Sequence, residues 1–319
     1  MKKTLFLGFC VLGILILTSS LGFSWGSATH AYIADRIGAF FPLMNSNELY
    51  GIMGPDLFNY SFDPTINFMN PRLAAYTHGL PGQEGFMDVW KNASWWGYQK
   101  NVAYGYVAHN DLWGADFTAH HQERSYLAQG YIIRKAEDLN IYLDQDFVSL
   151  GMPDILKLHD LRIELCHNLV ETAGDILIKK ADVLIGEKIL TASLLRTPDF
   201  PSLLQKAILP TVPVQDKELY KTAIIENEKA FRQMMVSYGG ILILAQDQII
   251  AAFADQMTTL GVQYVKVFAD IDLKPEIVRP IVEKAIRKSM DLCKNDYLPE
   301  IQYTINFVKN QLWSHGVKY

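Results

Sequence analysis

The sequence predicts an all-α protein, a multi-helix bundle with an additional C-terminal helical region. Three observations carry this. Apolar residues recur at three-to-four spacing along nearly the whole chain of 319 residues, the pattern of amphipathic helices. Alternation of period two, the mark of strands, is scarce. Half of the residues are hydrophobic and 20% are charged, enough apolar content for a sizeable core and too little charge for a disordered chain.

Taken in order, the chain opens with Lys2 and Lys3, an uncharged apolar run from Thr4 to Thr18, and the small-x-small step Gly22-Phe23-Ser24. That pattern predicts a signal peptide over 1–24 and export to the periplasm or beyond. The run is shorter than the ~20 residues a membrane span needs. Cleavage after Ser24 removes two lysines and no acid, taking the formal charge from −5 to −7. Such a chain lacks the basic footprint that duplex nucleic acid requires.

Next, 28–40 has helical spacing, 51–60 reads as a loop or short turn, and 70–85 reads as a loop around Pro71, Gly79, Pro81 and Gly82. The stretches 102–127 and 154–180 read as long helices. Pro201, Pro210 and Pro213 punctuate a candidate hinge over 198–216. Helical segments follow near 216–236, 239–262, 274–293 and 296–313. The most apolar stretch, 239–254, is interrupted by Asp247 and Gln248 and reads as a buried helix rather than a membrane span. The expected units are therefore a helical domain over 25–197 and a C-terminal helical region over 198–319. Cys166 and Cys293 are the cysteines beyond the leader. They are free to pair outside the cytoplasm but form no disulfide framework.

The chemistry lies in histidines spaced with carboxylates. At about 100° per residue, one continuous helix would place Asp116 about 20° behind His109 and His120 about 20° ahead of it. His121 and Asp111 would then point elsewhere. Glu164, His167, Glu171 and Asp175 form a second row inside an apolar helix, where charge is costly unless it is paired or metal-bound. Imidazole nitrogen and carboxylate oxygen on such rows are zinc ligands. A polar, solvated helix face is the alternative for either row alone. Trp25 would become the new N-terminus, with an α-amino group of pKa near 7.7–8.0 that a metal can deprotonate, and His30 follows five residues on. Asp56 in a Gly-Pro-Asp turn and His78 in a Tyr-Thr-His-Gly segment complete the set. His159 and His315 stand outside any such pattern.

The ordered set Trp25, His30, Asp56, His78, His109, Asp116, His120, His167 and Glu171 resembles the zinc-dependent phospholipase C family and the single-strand-specific nucleases that share its tri-zinc helical fold. The resemblance covers residues 25–180. It implies up to three Zn²⁺ ions. Asp56, His78, His109 and Asp116 would hold one, and His120, His167 and Glu171 a second. The third would be held by the amine and carbonyl of Trp25, His30 and the other oxygen of Asp116. It further implies hydrolysis of a phospholipid or other phosphate ester, with Asp56 orienting or deprotonating the attacking water, and peripheral contact with a membrane. The sequence departs from the family at one place, with six residues between His109 and Asp116 where the family has three. Two other readings stay open. One is a nuclease or nucleotidase, with Tyr60, Trp95, Trp96 and Tyr98 as stacking platforms if they are not core. The other is a zinc-binding interaction protein without catalysis.

Overall fold

A computed structural model describes residues 25–38, 41–59 and 65–318; the leader and Tyr60 lie outside them. The chain is all-α. Its helices run in order α1 (Ser27–Ile37), α2 (Pro42–Met53), α3 (Asn70–His78), α4 (Phe86–Asn92), α5 (Gln99–His109), α6 (Ala115–His120), α7 (Tyr131–Tyr142) and α8 (Asp144–Ser149). Then come α9 (Leu156–Ala181), α10 (Ile185–Leu195), α11 (Phe200–Ile208), α12 (Lys217–Ile243), α13 (Gln246–Ala269), α14 (Pro275–Cys293) and α15 (Tyr297–Ser314). Among the described residues the sole β-type pairing is an isolated bridge between Leu80 and Gln83. No described helix is long and apolar enough to cross a membrane.

Two contacts set the frame. The first is between α2 and α5, whose backbones touch. A Cβ on Gly51 would lie 2.0 Å from the Val102 carbonyl oxygen, and one on Gly105 2.1 Å from that of Glu48. Only glycine permits this approach. It brings the C-terminal ends of α2 and α5 together, and those ends carry Asp56 and His109. The second is around α9, which packs on α1, α7, α13 and α14 and buries Cys166, Val170, Ala173 and Ile176. From the far end of the sequence, Tyr297 on α15 meets Trp25 edge-on at 5.6 Å. Its hydroxyl lies 2.7 Å from that of Thr29. The residues after 197 thus share one core with those before it.

Five expectations about elements are corrected. The stretch 102–127 is not one helix. It breaks after His109 and restarts at Ala115, because the buried Asn110 side chain accepts from the backbone N–H groups of Leu112, Trp113 and Gly114 at 3.0, 2.9 and 3.2 Å. A side chain that caps three amides holds a turn against helix propagation. The supposed loop over 70–85 begins with α3, since Pro71 stands in its first turn, where a missing N–H costs nothing. Pro201 plays the same part in α11, which replaces the supposed hinge. Residues 51–59 continue α2 and then form a 3-10 helix, Gly54–Asn59. Within 239–254, Leu244 and Ala245 are extended and separate α12 from α13. Cys166 and Cys293 are both buried and unbonded.

Candidate metal centre

Four elements deliver the first group of ligands. The 3-10 helix after α2 carries Asp56, α3 ends on His78, α5 ends on His109, and the first turn of α6 carries Asp116. The C-terminal end of a helix carries partial negative charge, so the ends of α3 and α5 add to the field of the two carboxylates. His78 Nε2 lies 3.2 Å from Asp56 Oδ1 and 3.8 Å from Asp116 Oδ2. His109 Nε2 lies 3.7 Å from Asp56 Oδ1 and 2.8 Å from Asp116 Oδ2. His30, on α1, places Nε2 3.3 Å from the other oxygen, Asp116 Oδ1. Asp116 thus turns one oxygen to His30 and the other to His78 and His109.

The histidine tautomers test whether this group fits a cation. His109 Nδ1 lies 2.7 Å from the Ile52 carbonyl and His78 Nδ1 2.9 Å from that of Ala74. A carbonyl only accepts, so both Nδ1 atoms carry a proton and both Nε2 atoms are the ones turned to the cluster. Those two Nε2 atoms are 3.1 Å apart. Two ring nitrogens facing each other between two carboxylates call for positive charge, supplied by a proton or by a metal ion that replaces it. Among the described residues no lysine or arginine pairs with Asp56 or Asp116; imidazoles alone meet their oxygens in ion-pair contact. Ligands about 2.1 Å from a tetrahedral zinc stand about 3.4 Å apart, and the separations here scatter around that value. The group is deeply buried, with His30, His109 and Asp116 fully inaccessible. Burial works against a charged His109, yet the carboxylates of Asp116 and Asp56 outweigh it and raise its pKa to about 9. Burial likewise opposes a charged Asp116, but the adjoining His109 holds that carboxyl well below its ordinary range. The field that stabilises a proton there would stabilise a metal cation.

The second group adjoins the first. His167 Nε2 and Glu171 Oε1, one turn apart on α9, are 2.8 Å apart. The His120 ring, at the end of α6, meets that of His167 edge-on at 5.3 Å. Burial, and then the negative charges of Asp56, Glu164, Asp175 and Asp116, push Glu171 well above the usual carboxyl range. Glu171 therefore lies within electrostatic reach of the first group.

The structure brings His30, Asp56, His78, His109 and Asp116 into one cluster and sets His120, His167 and Glu171 beside it. His109, Asp116 and His120 do not share a helix stripe, as the sequence suggested; the turn at 110–114 re-aims Asp116 instead. The indole of Trp25 is buried and donates to the Ala115 carbonyl at 2.9 Å, next to Asp116, while cleavage before Trp25 concerns residues outside those described. Trp95, Trp96 and Tyr98 are exposed, not core, and precede the N-terminal end of α5. They stand about 15 Å along that helix from His109 at 1.5 Å per residue.

Sequence reasoning missed Asn59 and misplaced Asp111 and Asp175. Asp111 was set aside on the assumption of a continuous helix, yet its oxygens take His120 Nδ1 at 2.8 Å and His121 Nε2 at 3.1 Å. A carboxylate on Nδ1 fixes the ring and raises the basicity of Nε2, the usual outer partner of a metal-binding histidine. Asn110, Asp111 and Gly114, turn formers inside a helical pattern, were the available signal. Asn59 donates to Asp56 Oδ1 at 3.3 Å. Asp175 binds no ligand residue; it grips the start of α1, accepting from the backbone N–H groups of Ala28 and Thr29 at 2.7 and 2.8 Å. His159 pairs with Asp154 at the surface, and His315 stacks on Trp113 at 4.1 Å, so both lie apart from the cluster. No family model matches the chain, and no curated protein or solved structure does.

Proposed function

We propose that the chain is an exported zinc-dependent hydrolase of phosphate esters, similar in chemistry to phospholipase C. One observation carries this reading. Two imidazole Nε2 atoms face each other at 3.1 Å between two buried carboxylates, with which no lysine or arginine among the described residues pairs. Three further imidazoles and Glu171 extend the same donor set, and nitrogen with carboxylate oxygen suits zinc better than magnesium or calcium. Zinc held there would supply positive charge for phosphate oxygens and lower the pKa of a water towards about 7.

The chain's own residues divide the work by burial. His30, His109 and Asp116 are wholly enclosed and serve as fixed ligands. Asp56, His78 and Glu171 retain 5, 9 and 7% exposure, so a phosphate ester approaches from their side. Asp56 is the carboxylate placed to orient a water and accept its proton, with the Asn59 amide holding one of its oxygens. The exposed tryptophans lie too far along α5 to stack a base held at this centre, which supports a phosphate ester without a nucleobase over the nuclease reading.

The test is purification of the exported form, zinc per chain by elemental analysis, and turnover of a chromogenic phosphocholine ester alongside single-stranded DNA. The expected result is bound zinc and ester hydrolysis that a chelator abolishes and zinc restores. A preparation that binds no zinc refutes the proposal. Zinc without turnover would leave a metal-binding protein.

A further inference from the structure

An apolar cavity of about 140 Å³ adjoins the metal centre. Its walls include Phe147 of α8, Leu165 and Leu169 of α9, Leu260 and Gly261 of α13, and Ile281 of α14. Its polar edge is formed by Asn59 and Glu171, the neighbours of Asp56 and His167. Three other polar side chains on the wall are already engaged. Asn168 and Thr172 donate to carbonyls of their own helix at 2.7 and 2.8 Å, and the Tyr238 hydroxyl donates to Asp175 at 2.6 Å. By contrast Asn59 Oδ1 is buried and receives no hydrogen bond among the described residues, and Glu171 reaches the wall with Oε1 held 2.8 Å from His167 Nε2. The cavity therefore has one end fit for a polar head and a long apolar remainder.

Gly261 adds an independent observation. Glycine is a poor helix former, yet it stands inside α13, and a Cβ placed there would meet nothing within 4 Å. The helix keeps open a volume that any side chain would occupy. A cavity of this size compares with the ~150 Å³ apolar cavity that takes up benzene, and so accepts a short run of hydrocarbon.

We propose that this cavity holds the hydrocarbon chain of a phosphate-ester amphiphile whose head lies at the metal centre. The substrate is then a lipid, one chain of which is drawn into the protein between α9, α13 and α14. This rests on the hydrolase reading for the head but not for the tail.

The test separates the two. Calorimetric titration of the metal-stripped full chain with phosphocholine alkyl esters of 2, 4, 6, 8 and 10 carbons reads the cavity without catalysis. Burial of each methylene is worth about 0.8 kcal/mol, so affinity should rise about fourfold per methylene until the cavity is full and then level off. Gly261→Leu should abolish that rise, whereas Gly240→Leu, at an exposed helical position with equally open space, should keep it. Affinity independent of chain length, or a rise that persists in Gly261→Leu, would overturn the cavity proposal even if zinc and ester hydrolysis are found. A chain-length rise in a protein that neither binds zinc nor hydrolyses the ester would uphold the cavity and sink the hydrolase.

Discussion

Replacing Asp175 by alanine tests how the N-terminal segment is held against the metal centre. The carboxylate is fully buried. It accepts from Ala28 N–H at 2.7 Å, Thr29 N–H at 2.8 Å, the Thr29 hydroxyl at 2.6 Å and the Tyr238 hydroxyl at 2.6 Å. The hydroxyls can rotate, and that of Thr29 already lies 2.7 Å from the Tyr297 hydroxyl. The two amides in the first turn of α1 cannot. Each buried donor left without a partner costs about 1–3 kcal/mol, partly offset because a desolvated carboxylate disappears. Burial does push the Asp175 pKa up. The net expectation is a loss of about 3 kcal/mol. For a chain of this size that lowers the melting temperature by about 4–5 °C. His30 follows on the same helix, so zinc per chain should fall too. Gly26→Ala attacks the same contact from the other side, because its Cβ would sit 2.6 Å from Asp175 Oδ2; overpacking of this kind costs about 1–3 kcal/mol. Differential scanning calorimetry and elemental analysis read both variants. An Asp175→Ala protein melting within about 2 °C of the parent, with full zinc, would refute the argument that this carboxylate anchors α1.

Asp116→Ala should lose more zinc than Asp56→Ala, because Asp116 alone offers an oxygen to both His30 and the His78–His109 pair; equal loss in the two variants would count against a bridging role. Asn110→Ala removes the acceptor shared by three amides and should cost about 2–4 kcal/mol and reduce zinc binding, measurable by urea unfolding and metal titration. Stripping metal should lower the melting temperature markedly, since it leaves Asp56 and Asp116 buried within electrostatic reach of Glu171; an unchanged melting curve with chelator would argue against bound metal. Burial raises the pKa of Glu300 to about 7 despite the Arg124 N–H it accepts. Between about pH 4.5 and 7 the folded state then holds a proton that the unfolded state has released, so Glu300 makes stability fall as pH rises through that window, by on the order of 2 kcal/mol. Glu300→Gln should flatten that slope in unfolding curves measured from pH 4.5 to 7.5.

The all-α class was legible because apolar spacing of three to four is written into nearly every segment, and α9, α14 and α15 fall within three residues of their expected bounds. Boundaries set by side-chain capping were not legible. Asn110 halts α5 only because its amide folds back on three N–H groups, a local competition that periodicity does not register. The prolines misled for the opposite reason. Pro71 and Pro201 looked like breaks and are helix starts, since proline is disfavoured in the interior of a helix but not in its first turn.

The same break explains how six residues between His109 and Asp116 still leave its carboxylate between His30 and the His78–His109 pair. On a continuous helix, Asp116 would stand about 10 Å along the axis from His109, beyond reach of a shared ion whatever their angular agreement. The stripe argument matched direction and ignored rise. The turn at 110–114 removes that rise: α6 restarts beside the end of α5, and Asp116 Oδ2 comes within 2.8 Å of His109 Nε2. It also releases Asp111 from the helix, where it had seemed misdirected, and sets it on His120 Nδ1. The one turn therefore both brings Asp116 to the cluster and sets Asp111 beside His120. Ligands gathered at helix ends rather than on one helix face can tolerate such insertions, because loop length can absorb a shift that a rigid stripe cannot.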